Sequence, residues 1–258
     1  MAAERTAGHS VGFDTHTYPG DKTMNAWKNT PGAPYTWGGY YLPSPCHKDE
    51  SWAGKRDTLE RMKWGMAVVY VGQQTWGRPV NPQTVQQQRA TAARLARAGK
   101  SCDAGLLTAE RGVQDADDAV ARVSAEGFPP KTVVFLDIER MEKIPAGMRS
   151  YYQAWVARML ASQRYIPGVY VHTHNAADVY ADVKAAFEAA GNTDTPRVWV
   201  ALARGFDEGK APQDAGFAFA GVWQGLIDVG RAVANIRLPV DINVSHWSNP
   251  SAPGKAAD

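Results

Sequence analysis

Short runs rich in Val, Phe, Tyr and Trp alternate with longer helical patterns along almost the whole chain. The apolar runs are Val11–Thr15, Thr36–Leu42, Met66–Gly72, Thr132–Ile138, Gly168–His172, Val198–Ala203, Phe217–Gln224 and Val240–Val244. They are mostly continuous rather than alternating, as expected of parallel strands buried on both faces. Helical periodicity covers Pro82–Ala98, with Pro near its start and Gly99 past its end, and recurs over Gln114–Glu126 and Gly147–Arg164. It recurs again over Ala176–Ala190, with Asn175 as the expected N-cap and Gly191 beyond the end. Lys22–Lys28 and Ala53–Lys63 carry shorter helical patterns.

Eight strands alternating with helices over about 250 residues is the count of a single (β/α)8 TIM-type barrel. A doubly wound open sheet would open with a glycine-rich first turn, and GFDTHTYPG lacks the GxGxxG spacing. The expected organisation is one barrel domain over residues 1–248 and a flexible C-terminal tail over residues 249–258, where NPSAPGKAAD is small, polar and expected to fray.

Composition narrows the classes. The 258 residues are 44% hydrophobic and 21% charged, ordinary globular values that exclude wholesale disorder. A formal net charge of +2 gives no field suited to nucleic acid. No apolar run approaches the roughly 20 residues of a membrane span. The first ten residues show no apolar stretch of the signal-peptide kind, which leaves the compartment open. Cys46 and Cys102 could form one disulfide or stand as separate thiols. Nine Trp and ten Tyr are an unusual excess, usable as core or as platforms for sugar rings.

In a barrel of this kind chemistry gathers at the carboxyl ends of the strands. There the sequence places Asp14 and His16, Tyr40 and Tyr41, Gln73, Asp137 and Glu139, His172 and His174, Arg204, Trp223 and Gln224, and Asp241 and Asn243. Phe135-Leu-Asp-Ile-Glu139 is the most informative of these. Residues two apart on a strand share a face, so Asp137 and Glu139 project together. Paired carboxyls suppress each other's ionisation, leaving one protonated as an acid and one charged. Glycosidic cleavage asks for that pairing, although a strand-end DxE also serves in ion pairs and helix caps. Asp14 and Asp241 lie on strands that become neighbours when the barrel closes, so they either flank the same cavity or anchor turns. His172 and His174 have the spacing of a same-face metal pair but lack a clear third ligand, and neither a metal nor a cofactor is expected. Trp76, in the polar loop QQTWGR, and Trp247, after the last strand, are candidates for a sugar platform at the rim. GxSxG, P-loop and HExxH signatures are absent.

GFDTHTYPG, WGGYYL, MAVVYVGQQ, GFPPKTVVFLDIE, YYQAWV, PGVYV, WQG and VDINVS occur in an order that resembles the glycoside-hydrolase-like domain of unknown function 1906 of bacterial secreted proteins. That domain is in turn similar to the glycoside hydrolase family 25 lysozymes. These are barrel muramidases in which an early Asp follows the first strand, a DxE closes the fourth, and a WQ and a DxN strand end the barrel. The resemblance implies Glu139 as general acid and Asp137 as its electrostatic or base partner, with Asp14 and Asp241 shaping the subsite. It also implies export or a place in the cell envelope. Where the lysozymes carry Ser two residues after the first Asp, this chain has His16, and its second strand ends in GGYY.

The expectation is therefore a monomeric hydrolase of a bacterial polysaccharide, peptidoglycan being the leading substrate. Catalysis would come from Glu139, Asp137, Asp14 and Asp241, and binding from His16, Tyr40, Tyr41, Gln73, Trp76, His172, Trp223, Gln224 and Asn243. The alternatives are a non-catalytic glycan-binding barrel and a phosphosugar or metal-dependent barrel enzyme.

Overall fold

In the computed structural model, which describes residues 9–76 and 102–254, eight strands close into a barrel in sequence order. The elements are β1 (Ser10–Asp14), α1 (Asp21–Asn29), β2 (Tyr35–Tyr41), α2 (Arg56–Arg61), β3 (Gly65–Tyr70), α3 (Ala109–Ala125), β4 (Val133–Ile138), α4 (Ala146–Ser162), β5 (Ile166–His172), α5 (Thr173–Ala189), β6 (Val198–Ala201), β7 (Ala220–Val233) and β8 (Ile236–Ser245). This is the (β/α)8-type barrel the periodicity predicts. The helix expected over Pro82–Ala98 lies outside the described residues.

The helices start and stop for local reasons. Thr108 caps α3 by accepting from the Arg111 N–H, and α3 buries Ala116, Ala119 and Val123. Pro145 leads into α4, which buries Met148, Tyr151, Tyr152, Trp155, Val156 and Met159 and ends at the left-handed Gln163. The N-cap of α5 is His172, whose ring accepts from the His174 N–H. Asn175, the expected cap, is buried instead, and its amide spans both the N–H and the C=O of Met141.

One strand departs from the all-parallel expectation. Strands β1 to β7 run parallel, while β8 pairs antiparallel with both β7 and β1. The connection between β7 and β8 is the pair Ala234–Asn235, both at positive φ (49° and 63°), a two-residue hairpin turn with no room for a crossover helix. Because β8 runs opposite to the other strands, its residue Asp241, rather than its last residues, lies at the carboxyl end of the parallel strands, across from Asp14. Trp247 consequently falls at the opposite end, with the Arg197 guanidinium 4.4 Å from its ring, and is not a rim platform.

The chain after β8 closes the floor. Asn249 accepts from the Met66 N–H, and the Ser251 hydroxyl accepts from the Val68 N–H. The Ser251 backbone links Met66 and Val133. Arg197 donates to the carbonyls of Pro250, Ala252 and Gly254. The crossing passes so close to β3 that a Cβ at Gly65 would lie 1.8 Å from the Ser248 carbonyl oxygen. Residues 249–254 are thus tied to the floor rather than fraying. Above them the barrel is filled by aromatic rings: Trp199 meets Trp37, Phe135 and Tyr170 edge-on at centroid distances of 5.4–5.7 Å. Cys46 and Cys102 are joined as a disulfide between the loop after β2 and the segment leading to α3.

Candidate active site

Strand alternation brings Asp14, Tyr41, Asp137, Tyr170, Gln224 and Asp241 to one end of the barrel interior, where with His16, Val69, Glu139 and Trp199 they line a pocket of about 50 Å³. That is room for a few waters or one reacting substituent, so any chain of sugar rings would lie across the mouth. Gly39 makes room for the cluster: a Cβ there would lie 2.6 Å from the Asp14 Cβ.

Asp14 is the best-held carboxylate. It accepts from Tyr41 Oη at 2.8 Å, Asn243 Nδ2 at 2.7 Å and Gln224 Nε2 at 3.2 Å. Gln224 also donates to Asp241 at 2.9 Å and accepts from Tyr170 Oη at 2.6 Å. Asn243 is oriented in turn by Trp199 Nε1 at 3.0 Å. The second oxygen of Asp241 accepts from the Asp228 N–H at 2.7 Å. Asp228 has φ 51° at a bulge where β7 loses register with β8, which turns its N–H inward.

Asp137 is held differently. Its Oδ1 is sealed from water and meets no donor among the described residues. Burial, then the charges of Glu139 and Asp14, push its carboxyl well above the usual carboxylate range. Burial also raises Glu139, with the Arg140 N–H and His16 pulling the other way. Asp14 is raised by burial in spite of its three donors. Asp241 is pushed up to about 7, by burial first and then by Asp14. Four carboxyls in so small a space cannot all ionise near neutral pH, so the pocket retains protons beside anions.

Several candidates fall elsewhere. Tyr40 points outward, bonded to Glu126 and packed on Trp52 and Phe128. Trp223 also points outward, donating to the Leu202 carbonyl and meeting Phe206 edge-on. Strand parity explains both: each neighbours an inward residue, Tyr41 or Gln224, and so faces the helices. Gln73 is fully buried and accepts from the Asp103 N–H, away from the pocket lining. His172 caps α5, and His174 Nε2 lies 3.0 Å from the Glu142 carbonyl. Trp76 is 60% exposed and is not among the residues that line the pocket. No group of three or more His, Cys, Asp or Glu among the described residues is arranged to hold a metal ion.

Three contributors escaped the reading of the sequence. Tyr170 pairs in register with Asp137 and shares its layer; its spacing of two before His172 was the available signal. Trp199 is both core and pocket floor. Gln74 reaches the β4 backbone from the loop after β3.

A closed barrel with a buried carboxyl cluster at the mouth of its parallel strands is a glycoside hydrolase-like architecture. The chain belongs to the Rv2525c-like, glycoside hydrolase-like domain family, whose model matches residues 25–224. No curated protein matches it significantly in sequence. Among solved structures it is similar to an uncharacterized protein of B. stearothermophilus, with a TM-score of 0.57 and 19% identity over 92% of this chain and 95% of that one. The spore cortex lytic enzyme SleM of Clostridium perfringens is similar with a TM-score of 0.56 and 10% identity, over 94% of this chain and 69% of that one. The modular autolysin LytC of Streptococcus pneumoniae gives a TM-score of 0.57 and 11% identity, over 93% of this chain but only 47% of that one. At these identities the likeness is one of fold.

Proposed function

We propose that the protein hydrolyses a glycosidic bond in a bacterial polysaccharide, with peptidoglycan the substrate of choice. The observation that carries this reading is the gathering of Asp14, Asp137, Glu139 and Asp241 in one pocket, where burial raises every one of these carboxyls. Glu139, on the strand end and nearest the opening of the β4 pair, protonates the leaving oxygen. Asp14, fixed by three donors that favour its anion, supplies the negative potential that stabilises the positive charge developing on the sugar, and Asp137, held protonated by burial and by its neighbours, orients water beside it. Support also comes from the fold shared with SleM and with LytC, the latter solved with a synthetic peptidoglycan ligand.

The test is mass analysis of soluble products after incubating wild type and Glu139→Gln with purified peptidoglycan and a panel of bacterial polysaccharides. New reducing ends from wild type alone support the hydrolase. Absence of products from both, with both proteins co-sedimenting with one polymer, would replace it by a glycan-binding barrel.

A further inference from the structure

Strands β3 and β4 form a parallel ladder that ends at the pair Tyr70–Leu136, and the chain from Val71 to Gln74 then leaves the sheet. In a parallel ladder the C=O of one residue and the N–H two residues on face the same neighbouring strand. Beyond Leu136 those two groups belong to Asp137 and Glu139, and the β3 backbone is no longer beside them. The side chain of Gln74 occupies the place of the missing peptide. Its Nε2 donates to the Asp137 carbonyl at 2.8 Å, and its Oε1 accepts from the Glu139 N–H at 3.3 Å. The amide therefore spans both ends of the segment that carries the acidic pair.

The loop presenting Gln74 is itself anchored on several sides. The Gln73 N–H donates to Tyr151 Oη at 3.0 Å, Tyr151 donates to Asp115 at 2.8 Å, and Asp115 pairs with Arg111 at 2.7 Å. The Gln73 side chain accepts from the Asp103 N–H, and the Cys46 N–H donates to the Val71 carbonyl. Cys46 and Cys102 are disulfide-bonded, so both neighbours of the loop are covalently joined. Gln74 is fully buried and is not among the residues that line the pocket.

We propose that Gln74 is a positioning residue: its side-chain amide continues the β3–β4 ladder by one step and so fixes the direction in which Asp137 and Glu139 project into the pocket. The proposal rests on the hydrolase reading for its kinetic consequence, but the geometry it describes is independent of turnover. Without the amide, the Asp137 carbonyl and Glu139 N–H lose their partner, and beyond Leu136 the strand end is held only by its ladder to β5, which stops at Ile138. A displacement near 1 Å at a reacting group is enough to cost about a hundredfold in rate.

The experiment compares Gln74→Met, which keeps the length but has no amide, with Gln74→Glu. Thermal unfolding first establishes that each variant is folded. On peptidoglycan, Gln74→Met is expected to lose about tenfold to a hundredfold in kcat with KM nearly unchanged. Gln74→Glu can make both bonds only when protonated, so its rate relative to wild type should rise toward acid pH. A folded Gln74→Met with wild-type kcat, or with a loss confined to KM, overturns the proposal. In parallel, carbon NMR follows the Asp137 and Glu139 carboxyls against pH, assigned with Asp137→Asn and Glu139→Gln. Altered titration of both in Gln74→Met is the expected result, and curves superimposable on wild type refute positioning. If wild type releases no reducing ends the hydrolase reading fails, and the titration alone then decides the role of Gln74. If Gln74→Met does not fold, Gln74→Leu takes its place in the titration, and the kinetic arm rests on Gln74→Glu, whose rate relative to wild type staying constant with pH overturns the proposal.

Discussion

Asp241→Asn tests whether the carboxyl cluster is held together against its own charge. In the folded chain burial, followed by the Asp14 charge, pushes the Asp241 carboxyl from 3.8 up to about 7, against the opposing Asp228 N–H. A raised acid means that the folded protein keeps a proton which the unfolded chain has released. Its contribution to stability is full below the unfolded value, is lost as pH climbs between the two values, and stays lost above the upper one. Each pH unit between them is worth about 1.4 kcal/mol, so the roughly three units set a ceiling of about 4 kcal/mol. Asp241 is partly open to water and competes with Asp14 for protons, which reduces the expected share to about 2 kcal/mol. Asn retains an oxygen for the Asp228 N–H but sets its own NH2 against Gln224 Nε2, losing a bond worth about 1 kcal/mol. Urea unfolding of both proteins is the assay. At about pH 8 the variant should be more stable than wild type by about 1 kcal/mol, and at about pH 4 less stable by a similar amount. A variant destabilised equally at both pH values would refute the claim that Asp241 is forced out of its ordinary range.

Other consequences are as direct. Gly39→Ala drives a methyl against the Asp14 Cβ and should destabilise by about 1–3 kcal/mol in chemical unfolding, with Asp14 displaced and any turnover reduced. The Cys46–Cys102 bridge spans 56 residues, so replacing both by Ser should cost about 4 kcal/mol on loop-entropy grounds, read from the shift of the urea midpoint. Arg197→Met leaves the carbonyls of Pro250, Ala252 and Gly254 without their cation, and a loss of about 3 kcal/mol or more is expected in the same measurement. Unchanged stability in this variant would mean that the C-terminal segment is not needed to close the floor.

Much of this architecture can be read in the chain. The eight short apolar runs became the eight strands, and Asp137 and Glu139 share a pocket with Asp14, His16, Tyr41, Gln224 and Asp241 because side-chain parity and barrel closure follow from strand order alone. The hairpin was hidden because LIDVGRAVANIRLP alternates weakly, and Ala-Asn is a less conspicuous turn than Asn-Gly. Missing it reversed the direction of the last strand and misplaced Trp247. Tyr40 and Trp223 were misassigned for the opposite reason: adjacent residues at a strand end have equal claims in sequence, and only the register of neighbouring strands says which one faces inward. Gln74 was passed over in favour of Gln73 because its partners are backbone groups on another strand, which no motif records. The floor formed by residues 249–254 was illegible because small polar residues near a terminus look the same whether they dangle or cap a sheet.

The most direct test of the carboxyl mechanism is the rate of reducing-end release from peptidoglycan by wild type, measured from about pH 3 to about pH 8. An enzyme working through one protonated and one ionised carboxyl gives a bell, and Asp137→Asn and Glu139→Gln should each remove the activity beneath it. A rate that stays level through the acid range, or that survives in Glu139→Gln, would contradict the account.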